Sequence, residues 1–316
     1  MKHRKIQLIA GTTYSISLPK EWIKKNNLKE KQELAIYEKG DNTLLISPSE
    51  VKEEKREKIS MNVDEFKSNI DRVLLELYYL GFETIELYSK TKLSKEEIAS
   101  IRKTINCMSG TVVNHEDDNK IIIKVLLDKS KVDIIQAIYR MSLIVEQTLI
   151  NISEGINMEE ITINENEIDQ LYHLVTKIIS LAINDSVLLR SSKIQYAQLI
   201  PSYLLIGKKL ENLADVLYYS ANRLKSTNKN LSNKKEMLST IKEELNRTFR
   251  HVLADYPSMF IRVTDEKIKK LRESAKSTKD QVLIDYFNNA IKFLIDIQEE
   301  VIDISFYKIM TKKGVI

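Results

Sequence analysis

The sequence predicts a multidomain chain: a small β-rich N-terminal unit, an α/β middle part and an all-α remainder. Three observations predict it. Apolar residues alternate with period two over residues 6 to 46, helical and strand patterns intermix from 57 to 128, and beyond 130 glycine nearly vanishes while apolar residues recur three and four apart. At 316 residues, 43% of them hydrophobic and 30% charged, the chain carries enough apolar material for two or three ordinary cores.

In the first region Ile6, Leu8 and Ala10 alternate with polar neighbours, and after Gly11 so do Tyr14, Ile16 and Leu18, giving two short strands. Pro19 then sets φ for a first helical turn in PKEWIKKNN, which ends at Asn26 and Asn27. Leu34 and Ile36 match Leu44 and Ile46 across KGDN, a hairpin turning at Gly40. A ββαββ unit of this size, without disulfide or metal, is too small to build a comfortable core alone, so a second copy is expected to complete it.

The run GTTYSISLPKEWIKKNNL resembles the AbrB/SpoVT type of DNA-binding domain. The likeness covers Arg4 to Pro48 and is clearest in the strand-Pro-Lys-helix passage Ile16 to Ile23; Lys31 and Gln32 stand where that family usually has Gly-Asp. The resemblance implies a swapped-hairpin β barrel over residues 1–50, interleaved from two chains, and therefore a homodimer on double-stranded DNA. Local charge agrees with it. The whole chain has a net charge of only +4, yet residues 1–31 hold eight Lys and Arg against two Glu. Lys2, Arg4, Lys5 and Lys20, doubled in a dimer, are the expected phosphate contacts, with Thr12 and Thr13 donating from the loop. None of these residues is suited to base readout.

SEVKEEKREK, residues 49–58, reads as a boundary. Beyond it VDEFKSNIDRVLLELYYLG spaces Phe66, Ile70, Val73, Leu74 and Leu77 as a helix closed by Gly81. TIELYS is a strand, LSKEEIASIRKTIN a helix opening on Ser94 with Glu97 three residues on, and TVVNHEDDNKIIIKVLL a hairpin turning over Glu116 to Asn119. These make a small α/β sandwich over residues 57–128 with no catalytic constellation. Cys107, the only cysteine, excludes a disulfide framework and a cysteine zinc site, and reads as a small buried hydrophobe. The longest uncharged stretch, Ile194 to Gly207, has 14 residues, short of the roughly 20 a membrane span needs. With no h-region at the N-terminus either, a soluble cytoplasmic protein is expected.

The remainder predicts helices at 130–155, 164–190, 194–227, 233–256, 262–277 and 279–310, arranged as two tandem three-helix bundles, 130–227 and 233–316, about the linker NKNLSNK. Within them one spacing recurs. ENEID (Glu165, Asp169), ENLAD (Glu211, Asp215) and EEVID (Glu299, Asp303) each set two acids four apart, on one side of a helix, where like charges repel by a few tenths of a kcal/mol. At roughly 100° per residue the first two pairs fall outside their helices' apolar stripes, so they are expected to converge on an exposed face between neighbouring helices. Four carboxylates there suit a hard cation or an iron site, which cancels their repulsion.

LLRSSKIQYAQLIPSYLLIGKKLENLADVLYYSANRL resembles two helices of a PhoU repeat, in which Glu-x-x-x-Asp pairs on two helices bind metal. The likeness covers about 131–227, and 233–310 more weakly. It implies a site at Glu165, Asp169, Glu211 and Asp215 for a divalent or ferric ion (iron, zinc or magnesium), and a degenerate one at Glu299 and Asp303, where the partner helix has Asp265 followed by Lys269. No histidine stands three residues after a Glu as a diiron oxidase requires, and neither a phosphate loop nor a nucleophile elbow is present, so the chain is not expected to be an enzyme. Joined, the two resemblances imply an archaeal-style PhoU-like regulator of phosphate uptake. Two rivals share these features: an adaptor that docks on the phosphate transporter or its kinase and uses the N-terminal domain only to dimerise, and a toxin-neutralising antitoxin.

Overall fold

A computed structural model describes residues 3–38, 43–48, 57–183, 185–227, 235–253 and 258–315. The chain divides into two compact units, Met1–Lys55 and Arg56–Ile316.

In the first unit, β1 (Gln7–Ile9) pairs antiparallel with β2 (Thr13–Ser15), α1 (Lys20–Lys25) follows Pro19, and β3 (Ala35–Glu38) pairs antiparallel with β4 (Leu44–Ser47). This is the expected ββαββ order. Ile36 lies opposite Ile46 as the pattern requires, while the KGDN turn with Gly40, the 49–56 part of the charge run and Lys2 lie outside the described residues. The β1–β2 turn passes through Ala10 at φ 49° and Gly11 at φ 74°, the left-handed conformation that makes glycine the fitting residue there. The described strands form two separate ladders rather than a closed barrel. No described residue of the unit is buried; Ile6 is 68% exposed, Tyr14 68%, Ile36 63% and Leu44 66%. Each such side chain forgoes about 1.5–3 kcal/mol of burial while it faces water.

The second unit begins with a four-stranded sheet of order β5 (Lys58–Asn62), β6 (Thr84–Tyr88), β8 (Lys120–Val125), β7 (Thr111–Glu116). β5 runs parallel to β6 and the other neighbours are antiparallel. α2 (Ile70–Tyr79) and α3 (Lys95–Asn106) supply the second layer, and the Ser94–Glu97 capping box is formed in full. Two differences from the sequence reading stand out. β5 starts at Lys58, the last residue of the segment read as a boundary, and runs to Asn62, where no strand was expected, and α2 begins only at Ile70 after two 3-10 turns. The second follows from side-chain competition: Asn62 caps Asp64 N at 3.2 Å, and Asp64 in turn accepts from Ser89 Oγ at 2.9 Å and Lys90 N at 3.0 Å, holding this stretch to the end of β6 instead of letting it coil.

The helical region comprises α4 (Ile134–Glu154), α5 (Met158–Ala182), the short α6 (Ser186–Ser191), α7 (Ile200–Ser226), α8 (Lys235–Leu253), α9 (Asp265–Lys276) and α10 (Gln281–Lys312). The stretch read as one helix over 164–190 is two elements, α5 ending at Ala182 and α6 starting at Ser186, where Asp185 caps α6 by accepting from the amides of Val187 and Leu188, both at 2.9 Å. α7 starts late because Pro201 fits only a first helical turn. α7 packs against α4, α5 and α10, and α10 also covers α8 and α9. One continuous apolar cluster from Ile134 to Ile304 runs through both groups of helices. No described helix is long and apolar enough to cross a membrane.

Candidate functional site

Glu165 and Asp169 stand one turn apart on α5, and Glu211 and Asp215 one turn apart on the adjoining α7. The two helices bring them together. Glu165, Asp169 and Asp215 each offer a carboxylate oxygen, and the three atoms lie within 4.8 Å of one another. Among the described residues no lysine, arginine or histidine pairs with these three acids. Glu211 differs: Lys208, one turn before it, reaches it at 2.6 Å while its ammonium sits 5.0 Å from the Tyr172 ring centre.

The cluster is half-buried rather than exposed, a correction to the expected open face. Its cover comes from the α/β layer. Gln170 Nε2 donates to Asn106 O at 2.6 Å and Ser109 Oγ to Gln170 O at 3.4 Å, which seats the C-terminal end of α3 on α5 beside the acids. The seam continues along the same ridge of α5. His173 hydrogen-bonds the Tyr79 hydroxyl, and Lys177, 4% exposed, donates to Tyr78 O at 2.7 Å and lies over the Tyr78 ring. Burial holds His173 down at about 4 and Lys177 down at about 8.

Burial and mutual repulsion govern the acids. Asp169 is pushed up to about 7, first by desolvation and then by the charges of Glu165, Glu211 and Asp215. Asp215 is pushed up to about 6 by desolvation and then by Glu211 and Glu165, and desolvation also raises Glu165. Three half-buried carboxylates with no internal donors fit a divalent or ferric cation: its charge offsets both the repulsion and the lost hydration, and oxygen donors suit it.

Glu299 and Asp303 on α10 are not part of this cluster. Both are exposed, and Glu299 faces Arg262 at 3.7 Å, which also takes Asp265 at 3.4 Å. The second group of helices instead buries Glu244 of α8, 5% exposed, among Arg247, Lys267 and Gln298. Sequence reasoning missed that network, and it also missed Lys208 and Cys107 at the acid cluster. Lys208 had a signal, its i,i+3 place before Glu211. Cys107 had none, because only the packing of α3 on α5 brings it there.

On the first unit, Arg4, Lys5, Thr12, Thr13 and Lys20 are all exposed, with Thr12 in the β1–β2 turn and Lys20 opening α1. No carboxylate of the described residues is paired with Arg4, Lys5 or Lys20.

Residues 7–55 match the family model described as antidote-toxin recognition MazE, bacterial antitoxin. The N-terminal unit is therefore a MazE/AbrB-like domain, a type compatible with a DNA-binding or regulator role. No curated protein and no solved structure matches the chain, and nothing in these comparisons speaks for the PhoU likeness of the helices.

Proposed function

We propose that this chain is a dimeric DNA-binding transcriptional regulator whose helical region holds a cation and serves as its sensor or docking module. The observation that carries the reading is the match of residues 7–55 to a MazE/AbrB-type domain, coincident with a unit that has no buried residue of its own among those described. A second copy would cover the exposed Ile6, Tyr14, Ile36 and Leu44 and would double the Arg4, Lys5 and Lys20 charges on one nucleic-acid face. Phosphate status is the signal we assign to the helices. Its support is the PhoU-like run 188–224 together with the convergence of the two Glu-x-x-x-Asp pairs. Glu165, Asp169 and Asp215 would hold the ion, whose chemistry there is to neutralise the cluster.

The test is fluorescence anisotropy of the full-length protein on its own upstream DNA and on random duplex, from 50 to 300 mM salt. With about six phosphates neutralised, affinity drops roughly a thousandfold between 50 and 200 mM, and Arg4, Lys5 and Lys20 to Ala removes binding. No binding at 50 mM, with or without metal and phosphate, overturns the regulator reading in favour of an adaptor. A second reading has one observation behind it, the antitoxin description of the matching family model: the N-terminal domain would then neutralise a toxin. Rescue of growth by this chain when a small toxin encoded beside it is expressed would establish that reading.

A further inference from the structure

We propose that the α/β layer is a lid on α5, poised to lift, and that the buried ammonium of Lys177 is the spring that biases it open. The part of the layer that lifts includes the cover over Glu165, Asp169 and Asp215, so the movement governs access to that cluster.

The seam is built to part. Apolar residues on its two sides form two separate clusters, Val63 to Ile123 in the layer and Ile134 to Ile304 in the helices, rather than one continuous core. The ties that cross it are narrow: Gln170 Nε2 to Asn106 O, Tyr79 to His173, Lys177 to Tyr78 O, and Leu181 against Gly81. Two cores joined through such a face separate from each other at a lower free energy than either one unfolds.

Lys177 is the costly member of the seam. It is 4% exposed, its Nζ donates to Tyr78 O at 2.7 Å, and the same atom stands 4.0 Å from the Tyr78 ring centre. Among the described residues no carboxylate pairs with it, and the nearby charge of Lys129 has its own sign. An ammonium carries three donors, and one carbonyl with one ring face does not replace the water it has lost. Burial accordingly holds its pKa down at about 8. Lifting the layer returns the ammonium to water, so the closed state carries a bias against itself. An apolar side chain of similar length carries none.

Tyr79 is the reporter, because it is 8% exposed and its hydroxyl meets His173 at the seam; Tyr219, 51% exposed on α7, is the standard within the same molecule. The full-length protein, with a chelator present, is trace-acetylated by N-acetylimidazole at pH 7, and mass spectrometry compares the two tyrosines. In the wild type, Tyr79 is expected to react more slowly than Tyr219 but at least about 10-fold faster than global unfolding, measured in urea, allows. Lys177→Met slows Tyr79 at least about 5-fold, and Gln170→Ala, which removes the tie to Asn106 O, speeds it about 2- to 10-fold. Tyr79 reactivity that Lys177→Met leaves unchanged or raises makes the ammonium a clamp and overturns the spring. Wild-type Tyr79 reacting no faster than global unfolding allows overturns the lid, since the layer then does not lift by itself. Gln170→Ala without effect overturns the lid as well, and it is read whether or not the methionine variant folds. No metal enters the test, so its failure leaves the cation reading standing.

Discussion

Two acid sites in the helical region face the same problem and solve it differently. Glu244 on α8 is almost fully enclosed, yet it accepts from Arg247 Nη2 at 2.6 Å and Nε at 3.0 Å, from Lys267 Nζ at 2.9 Å and from Gln298 Nε2 at 3.3 Å. Burial pushes its pKa up, but the hydrogen bonds from Lys267 and Arg247 outweigh that and hold it below the ordinary value. Glu165, Asp169 and Asp215 have no such donors among the described residues and are all pushed upward. Glu244 comes with its own counter-charges, whereas the α5–α7 acids have none among the described residues, and that difference is what the proposed cation would supply.

The largest effect expected from this contrast is on stability. Glu244→Ala leaves Gln298 without one of its acceptors and empties a buried position, while Arg247 and Lys267 stay partly solvated, and it lowers urea-unfolding stability by about 1–3 kcal/mol. Asp169→Asn, measured without metal, leaves the midpoint unmoved or raises it. Equal losses in the two variants would erase the distinction.

Next in size is cation affinity. Asp169→Asn with Asp215→Asn weakens zinc binding by about 100-fold or more in equilibrium dialysis, and Glu211→Gln with Asp215→Asn lowers bound metal without unfolding the protein. Glu244→Gln leaves metal content as it was.

The two sites also respond oppositely to pH. Asp169 and Asp215 titrate near 7 and 6 in the folded chain, against about 3.9 for an unfolded Asp, so with a chelator present the fold holds extra protons between these values. Their contribution to stability therefore falls as pH rises from about 4 to 7. The Glu244 contribution is complete above its unfolded value of 4.5 and is lost as pH falls through its lower folded value. Unfolding curves of Asp169→Asn and Glu244→Gln against pH separate the two windows.

The smallest effect falls on Lys208. Its ion pair with Glu211 is partly exposed and worth under about 1 kcal/mol, so Lys208→Gln barely changes stability while it raises cation affinity a few-fold by freeing Glu211. A drop in affinity would make Lys208 part of the site rather than a competitor for it.

Legibility in the sequence followed the range of the interaction. The long helices were plain because stripes such as Ile206, Leu210, Leu213 and Leu217 repeat a local period, and the ββαββ order was plain because Pro19 and the alternating residues act within a few positions. β5 was hidden: KISMN follows a charge run, and only its parallel pairing with TIELY makes it a strand. The start of α2 was misplaced for a similar reason, since Asp64 is held by Ser89 and Lys90, more than twenty residues away. At the site, the i,i+4 spacing revealed each acid pair and their offset from the apolar stripes. The half-burial of the cluster and the seating of Asn106 and Ser109 against Gln170 depend on α7 and the end of α3 packing against α5, which no local pattern encodes. Glu244 looked like any acid on an amphipathic helix.

The most direct test of the account is a calorimetric titration of zinc into chelator-treated full-length protein, repeated on Asp169→Asn with Asp215→Asn. The account predicts saturable binding by the wild type with proton release, and its loss in the variant while the unfolding midpoint is kept. Absence of binding in the wild type, or an isotherm the variant leaves unchanged, would contradict it.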